Sequence, residues 1–200
     1  MKLLPTQYSK KIEAGTDEAG RGCLAGPVTA AAVILPKNFS NPGLNDSKKL
    51  SEKKRNELRK LIEKNAMAYS VVHVNNHEID KINILNASIL AMHRAIKKLK
   101  IIPGFILVDG NRFSKYENLE HKCIVSGDSR FQNIAAASIL AKTYRDELMI
   151  RLDKKYPQFN WNKNKGYPTK FHKKSIILNG RSIYHRKSFR LFDIQTELKF

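Results

Sequence analysis

Along the chain the spacing of apolar positions changes several times, and each change marks a new element. Ile12 to Thr16 alternates and reads as a short strand that delivers Asp17 and Glu18 to its C-terminal end. The stretch VTAAAVIL, Val28 to Leu35, is apolar on both faces, as a strand covered on both sides of its sheet would be. Pro36 to Asn45 is rich in turn residues and reads as a surface loop. After Ser51, a charged segment presents Leu58, Leu61 and Ile62 as a narrow apolar stripe, which predicts a surface helix. Ala68 to Val74 returns as a strand. From His77 to Leu99, Ile79, Ile82, Leu85, Ile89, Met92, Ile96 and Leu99 recur at steps of three and four, predicting one amphipathic helix that ends before Pro103-Gly104. FILVD is a short buried strand with Asp109 at its C-terminal end. A second short strand, Cys123 to Val125, leads into Gly127-Asp128. A long helix is expected from Arg130 to Leu152, with Ser129 and Gln132 spaced as a capping box.

Strands alternate with helices, but the first two strands follow each other closely. That favours an α/β fold with a mixed sheet over a strictly parallel one. Beyond Asp153 the character changes: aromatic and basic residues mix through KKYPQFNWNKNKGYPTKFHKKS and YHRKSFRLF. We therefore expect a main domain over residues 1–153 and a basic C-terminal extension over 154–200 packed on it. There is no internal repeat.

Composition sharpens this. The 200 residues carry 37 Lys+Arg against 18 Asp+Glu, a formal charge of +19, and 42% are hydrophobic, enough for an ordinary core. Such a surplus attracts polyanions, nucleic acid first and an anionic membrane surface second. No apolar run is long enough to span a bilayer, and the N-terminus MKLLPTQYSKK lacks the pattern of a signal peptide. The two cysteines, Cys23 and Cys123, lack metal-site spacing and read as reduced thiols of a cytoplasmic protein.

Against this positive background the acids stand out. Asp17, Asp109 and Asp128 each lie just past an expected strand, and Glu18 adjoins the first; sites in open α/β sheets form at the carboxyl ends of strands. Four converging carboxylates repel one another unless a cation neutralises them, and a hard ion such as Mg²⁺ or Mn²⁺ does so through oxygen ligands. Two such ions can activate water and stabilise the leaving oxygen of a phosphodiester. Taken singly, each acid has a plainer reading. Asp17-Glu18 could cap a turn, Asp109-Gly110 is a common turn pair, and Asp128 suits a helix start. Asp146, mid-helix, reads as a solvated or ion-paired side chain. Co-occurrence at strand ends favours a site.

Read together, TDEAGRG followed by GPV, DSKKLSEKKR, NILNASILAM, LVDGN, GD followed by IAAASILAKTYRD, and KGYPTKFH resemble the prokaryotic type 2 ribonuclease H family, ribonuclease HII, in order over roughly residues 12 to 190. The resemblance implies a ribonuclease H-like fold: a mixed five-stranded sheet flanked by helices, with a C-terminal helical extension. It implies metal-dependent endonucleolytic cleavage of the RNA strand of RNA–DNA hybrids. It also implies nicking 5′ of ribonucleotides embedded in duplex DNA, leaving 3′-hydroxyl and 5′-phosphate ends. Two divalent ions, Mn²⁺ or Mg²⁺, fall to Asp17, Glu18, Asp109 and Asp128. The 2′-hydroxyl falls to the backbone of Gly20, Arg21 and Gly22, and sensing of the RNA–DNA junction to Tyr167. Lys48, Lys49 and Lys142 lie in family motifs and are expected to reach phosphates. Glycine lets a backbone approach a small hydroxyl closely, and that hydroxyl separates RNA from DNA. Plainer readings of these residues are a surface Arg21 paired to a nearby acid and a Tyr167 used in packing. His185 and Arg186 stand out without an assigned role, and SRFQN is bulkier than the family's small, lysine-containing stretch.

The enzyme is expected to be a cytoplasmic monomer, and the C-terminal FDIQTELKF is a candidate docking tail for a replication clamp. Two other readings compete. A basic, non-catalytic nucleic-acid-binding protein explains the charge but needs no acids at several strand ends. The related type 3 ribonuclease H usually carries an extra N-terminal substrate-binding domain, and here the first strand begins at Ile12.

Overall fold

The computed structural model describes residues 4–44, 47 and 50–191. Five strands, β1 (Glu13–Ala19), β2 (Val28–Ile34), β3 (Ala68–Val74), β4 (Phe105–Asp109) and β5 (His121–Ile124), form one sheet in the order β3-β2-β1-β4-β5. The pairs β1–β2 and β2–β3 are antiparallel, while β1–β4 and β4–β5 are parallel, so the sheet is mixed as expected. β1 occupies the centre.

The doubly apolar β2 explains the layering. Val28, Ala30, Ala32 and Ile34 face α3 (Ile84–Lys97), where Ala87, Ala91, Met92, Ala95 and Ile96 cover them. Ala31, Val33 and Leu35 face the other way, onto α1 (Glu52–Asn65) and α4 (Gln132–Asp153). The run Ala135-Ala136-Ala137 lets α4 lie close to the sheet. At Gly15 a Cβ would sit 2.3 Å from the Asn133 backbone, so only glycine permits this approach. The Asn133 amide then holds three elements: it accepts from the Leu35 N–H (3.0 Å) and donates to the Glu13 carbonyl (3.3 Å).

Two expectations fail. The apolar period from His77 to Leu99 spans two helices, α2 (Asn76–Ile82) and α3, broken at Asn83. Asn83 takes a φ of 65° and its side chain accepts from the Asn86 N–H (3.0 Å), capping α3. The local side-chain bond outweighs helix continuation, while the apolar stripe continues across the break. The capping box at Ser129 and Gln132 does not form: the N-cap of α4 is Phe131, without a side-chain bond. Ser129 lies in a 3₁₀ turn over Gly127–Ser129 and donates to the Ser126 carbonyl (2.8 Å). Gln132 is drawn away instead, donating to the Leu4 carbonyl and accepting from the Asn41 N–H.

Past α4 the chain forms a 3₁₀ turn (Pro157–Phe159) and two short helices, α5 (Trp161–Asn164) and α6 (Lys170–Asn179). Phe159, Trp161 and Ile176 pack with Leu24, Ala25, Met149 and Leu152. Two buried histidines lock this segment. The Trp161 indole N–H donates to His172 Nε2 (3.0 Å), and His172 Nε2 lies 3.1 Å from His185 Nε2. His185 Nδ1 accepts from the Ser182 N–H (2.8 Å), so its Nε2 carries the proton that reaches His172. His172 Nδ1, facing the Tyr167 carbonyl at 2.9 Å, carries the other. Both rings are thus neutral. Burial lowers the pKa of His172, and burial, then His172 and Arg181, push His185 down to about 4.

Two predictions follow from this architecture. Asn83→Ala should cost about 1 kcal/mol of stability, from the lost cap and the positive φ, whereas Asn83→Gly should stay within a few tenths; urea midpoints at unchanged slope check this. The histidine pair binds protons more readily when unfolded. Its contribution is complete above the ordinary histidine value and is lost as pH falls from there toward about 4. Melting temperature should therefore drop through that window, and the drop should shrink in a His172→Gln/His185→Gln variant compared at the same pH values.

Candidate active site

β1 continues through the acid pair to Ala19, so Asp17 and Glu18 lie within the strand rather than past it. Small partners permit this: Asp17 pairs with Ala31 and Glu18 with Ala30 across the β1–β2 ladder. Strand alternation sends the two carboxylates to opposite faces of the sheet. Asp17 turns toward α4, where it shares a cavity wall with Ser138, and it accepts from the Glu18 N–H (2.6 Å). Glu18 turns toward α3 and pairs with Arg21 at 3.1 Å. Asp109 ends the parallel neighbour β4 and accepts from the Gly127 N–H at 2.7 Å, which ties that strand end to the Gly127–Ser129 turn.

Asp17, Glu18 and Asp109 line one cavity of about 320 Å³, together with Gly20, Arg21, Gly22, Ser47, Ser138, Lys142 and Tyr167. Asp128 is buried beside Gly127 in the turn that holds Asp109, and it is not part of that lining. Among the described residues, no three His, Cys, Asp or Glu side chains close on one point as a preformed ion cage would. The electrostatics nevertheless call for a cation. Burial, then Glu18 and Asp109, hold the Asp17 carboxyl well above its ordinary pKa; burial raises Glu18 against the opposing pull of Arg21. The donors are carboxylate and hydroxyl oxygens, the set that suits a hard divalent ion, and such an ion would offset both the burial and the repulsion.

The remaining expected residues divide. Arg21 makes the acid pair that its plainer reading anticipated, with its side chain half exposed. Lys142 lines the cavity and pairs with Asp146 at 2.9 Å, so Asp146 is ion-paired. Tyr167 is 37% exposed at the cavity edge, with Lys142 Nζ 5.4 Å from its ring centre. Lys48, Lys49 and the FDIQTELKF tail lie outside the described residues, though Ser47 beside them reaches Ser138 at 2.9 Å. Both cysteines are free, Cys23 buried and Cys123 partly so.

Sequence reading missed what supports the Gly20–Pro27 loop. Arg145, fully buried on α4, donates to the carbonyls of Pro27 (2.9 Å), Lys165 (2.9 Å) and Ala25 (3.1 Å). Its place at four-residue steps between Ala141 and Met149, on the buried face, was the available signal. Arg186 is likewise buried and bonds this loop from the C-terminal segment. Gly20, at φ +93°, leaves room for Arg145; a Cβ there would lie 1.9 Å from its Nε. At Gly22 a Cβ would meet nothing within 4 Å.

Comparison with known proteins gives a consistent result. The family model for ribonuclease HII matches residues 14–192. A ribonuclease HII of Christiangramia forsetii is 60% identical over 194 residues, covering 96% of this chain and 98% of that protein. Among solved structures, ribonuclease H2 from Pyrococcus horikoshii superposes with a TM-score of 0.75 at 25% identity, covering 90% of this chain and 94% of that one. The ribonuclease HII of the PCNA:RNase HII complex from Archaeoglobus fulgidus gives 0.75 at 26%, covering 91% and 96%. With the match running from the strand that carries the acid pair to the segment that carries Arg186, the chain belongs to the ribonuclease HII family of ribonuclease H endonucleases.

Proposed function

We propose that this enzyme cuts the RNA strand of RNA–DNA hybrids and nicks 5′ of single ribonucleotides in duplex DNA, leaving 3′-hydroxyl and 5′-phosphate ends. The observation that carries the reading is the cavity in which three mutually repelling carboxylates face a glycine-bearing loop in a chain of charge +19. Asp17, Glu18 and Asp109, with Asp128 beside them, would hold two divalent ions, Mg²⁺ or Mn²⁺. When bound, such ions activate water and stabilise the leaving oxygen of a phosphodiester. The protein's own groups do the rest. The Glu18 N–H fixes the orientation of Asp17, and Gly127 fixes that of Asp109. Lys142 supplies positive charge at the cavity wall, Gly20-Arg21-Gly22 meets the 2′-hydroxyl, and Tyr167 stacks on the adjoining deoxyribose. Lys48 and Lys49 contact phosphates.

Several wider assignments belong to the same reading: a cytoplasmic enzyme, a monomer, and a division at residue 153 into a catalytic unit and a basic extension. Among the described residues no helix is long and apolar enough to cross a membrane. The A. fulgidus relative is described in a complex with PCNA, which supports a sliding clamp as partner here, with FDIQTELKF as the candidate contact.

Asp17→Asn should lower the nicking rate of a duplex carrying one ribonucleotide by a hundredfold or more, about 2.7 kcal/mol in barrier. Its melting temperature in EDTA should hold or rise, because a buried, repelled charge is removed while the oxygen facing the Glu18 N–H remains. Wild-type nicking by the purified variant with Mg²⁺ would end the metal-site reading.

Gly22→Ala and Tyr167→Ala should fail differently. The alanine methyl enters open space in the free enzyme, so folding should be intact while all substrates suffer. Removing the Tyr167 ring should cost about tenfold on the single ribonucleotide, at the low end of aromatic stacking on nucleic acid, and less on a long hybrid. Single-turnover rates on both duplexes decide, and equal losses would remove the junction-sensing role.

A further inference from the structure

Arg186 lies 160 residues or more along the chain from the loop it holds. Its Nη2 donates to the Gly20 carbonyl and its Nη1 to the Arg21 carbonyl, both at 2.7 Å, and its Nε donates to the Gly26 carbonyl at 3.0 Å. The side chain is 1% exposed, and among the described residues no carboxylate forms an ion pair with it. A buried cation without an acid is costly; here carbonyl oxygens of the loop offset that cost. Its own backbone joins the arrangement, the Arg186 N–H donating to the Leu24 carbonyl at 2.8 Å and the Gly26 N–H to the Tyr184 carbonyl at 2.9 Å.

These bonds determine where the loop's donors point. A trans peptide sets its C=O and the following N–H in opposite directions, and the chain has no cis bond. Because the Gly20 and Arg21 carbonyls turn inward to Arg186, the N–H groups of Arg21 and Gly22 turn outward. No acceptor among the described residues meets either one. Gly20, Arg21 and Gly22 line the acid-bearing cavity, and Arg186 does not.

We infer that Arg186 is a positioning residue for cleavage: its guanidinium draws the Gly20 and Arg21 carbonyls inward and thereby presents the Arg21 and Gly22 N–H groups as a donor pair to the ribonucleotide. This rests on the substrate reading above and adds to it a residue that never touches the substrate. Arg145 holds the far end of the loop through the Ala25 and Pro27 carbonyls, so the two guanidinium groups fix the loop along its length. The arrangement assigns a role to the C-terminal segment: it shapes the element that recognises the ribonucleotide.

Arg186→Lys tests the inference, since an ammonium keeps the charge but cannot span three carbonyls in a fixed fork. With Mg²⁺ at saturation, its single-turnover rate on a one-ribonucleotide duplex should fall at least about tenfold (about 1.4 kcal/mol). Affinity for an all-DNA duplex, measured by anisotropy, should stay within about twofold because the charge is unchanged. Amide exchange followed by NMR supplies a readout that general loosening would not move. In the wild type, the Arg21 and Gly22 amides should exchange fast when free and become protected by the ribonucleotide duplex but not by all-DNA. In Arg186→Lys that selective protection should vanish while sheet amides keep theirs. A wild-type rate in the variant, or equal protection by both duplexes, would overturn the assignment. Should Arg186→Lys not fold, the wild-type amides decide: slow exchange in the free enzyme would place them facing inward and refute it. A wild-type protein that nicks no ribonucleotide duplex would instead defeat the proposed function and leave the loop geometry standing.

Discussion

Carboxylates that repel one another have to be held together at one end of a sheet, out of bulk water, before any ion arrives. Burial and the neighbouring acids make Asp17 costly to ionise, so the surrounding structure must prevent the group from turning away. The fold meets that demand by putting Asp17 and Glu18 inside the central strand and Asp109 at the end of its parallel neighbour. A loop could relax under the repulsion; a strand whose acids are laddered to β2, and whose preceding residues Glu13 to Thr16 are paired to β4 as well, cannot without losing those pairs. The all-alanine centre of β2 then makes sense, because small partners opposite Asp17 and Glu18 leave room for both faces to be packed.

Much of this was legible in the sequence, and what was not has a common cause. β3 falls at Ala68–Val74 as its alternation indicates, and the acids at strand ends point to the cavity. Asn83 was missed because its cap is a side-chain bond to the backbone, invisible to a period of apolar residues that runs unbroken past it. The Ser129–Gln132 box was misplaced because Gln132 finds partners near the N-terminus, about 90 and 128 residues away in sequence. Arg145 and Arg186 were missed as supports because their partners are main-chain carbonyls. A carbonyl exists at every residue, so no residue type records the pairing.

The positive charge therefore serves in two separate ways. Most of the lysines and arginines are solvated or form exposed pairs such as Lys54–Glu57 and Lys11–Glu120, whose worth to stability is small. Their sum sets long-range attraction to a polyanion and its sensitivity to salt. Arg145 and Arg186 contribute little to that field relative to what they do locally. Buried and bonded to neutral oxygens, they convert charge into the orientation of a loop.

Attraction and discrimination thus use different chemistry. A charged side chain reaching toward a phosphate meets the same group on DNA and RNA, so it cannot tell the strands apart. A backbone N–H in a glycine-flanked turn can, because it is short and neutral, and an oxygen is either within its reach or not. Its weakness is flexibility, since glycine on both sides leaves the turn free to reorient. The physical solution in this chain is to hold the opposite ends of the same peptide planes. Two carbonyls pulled inward by one guanidinium leave two N–H groups committed outward, and a methyl-free Gly22 keeps the approach open. The histidine pair belongs to the same chain of support: His172 bonds the Tyr167 carbonyl, His185 adjoins Arg186, and each lies on the segment that carries the loop's fastening.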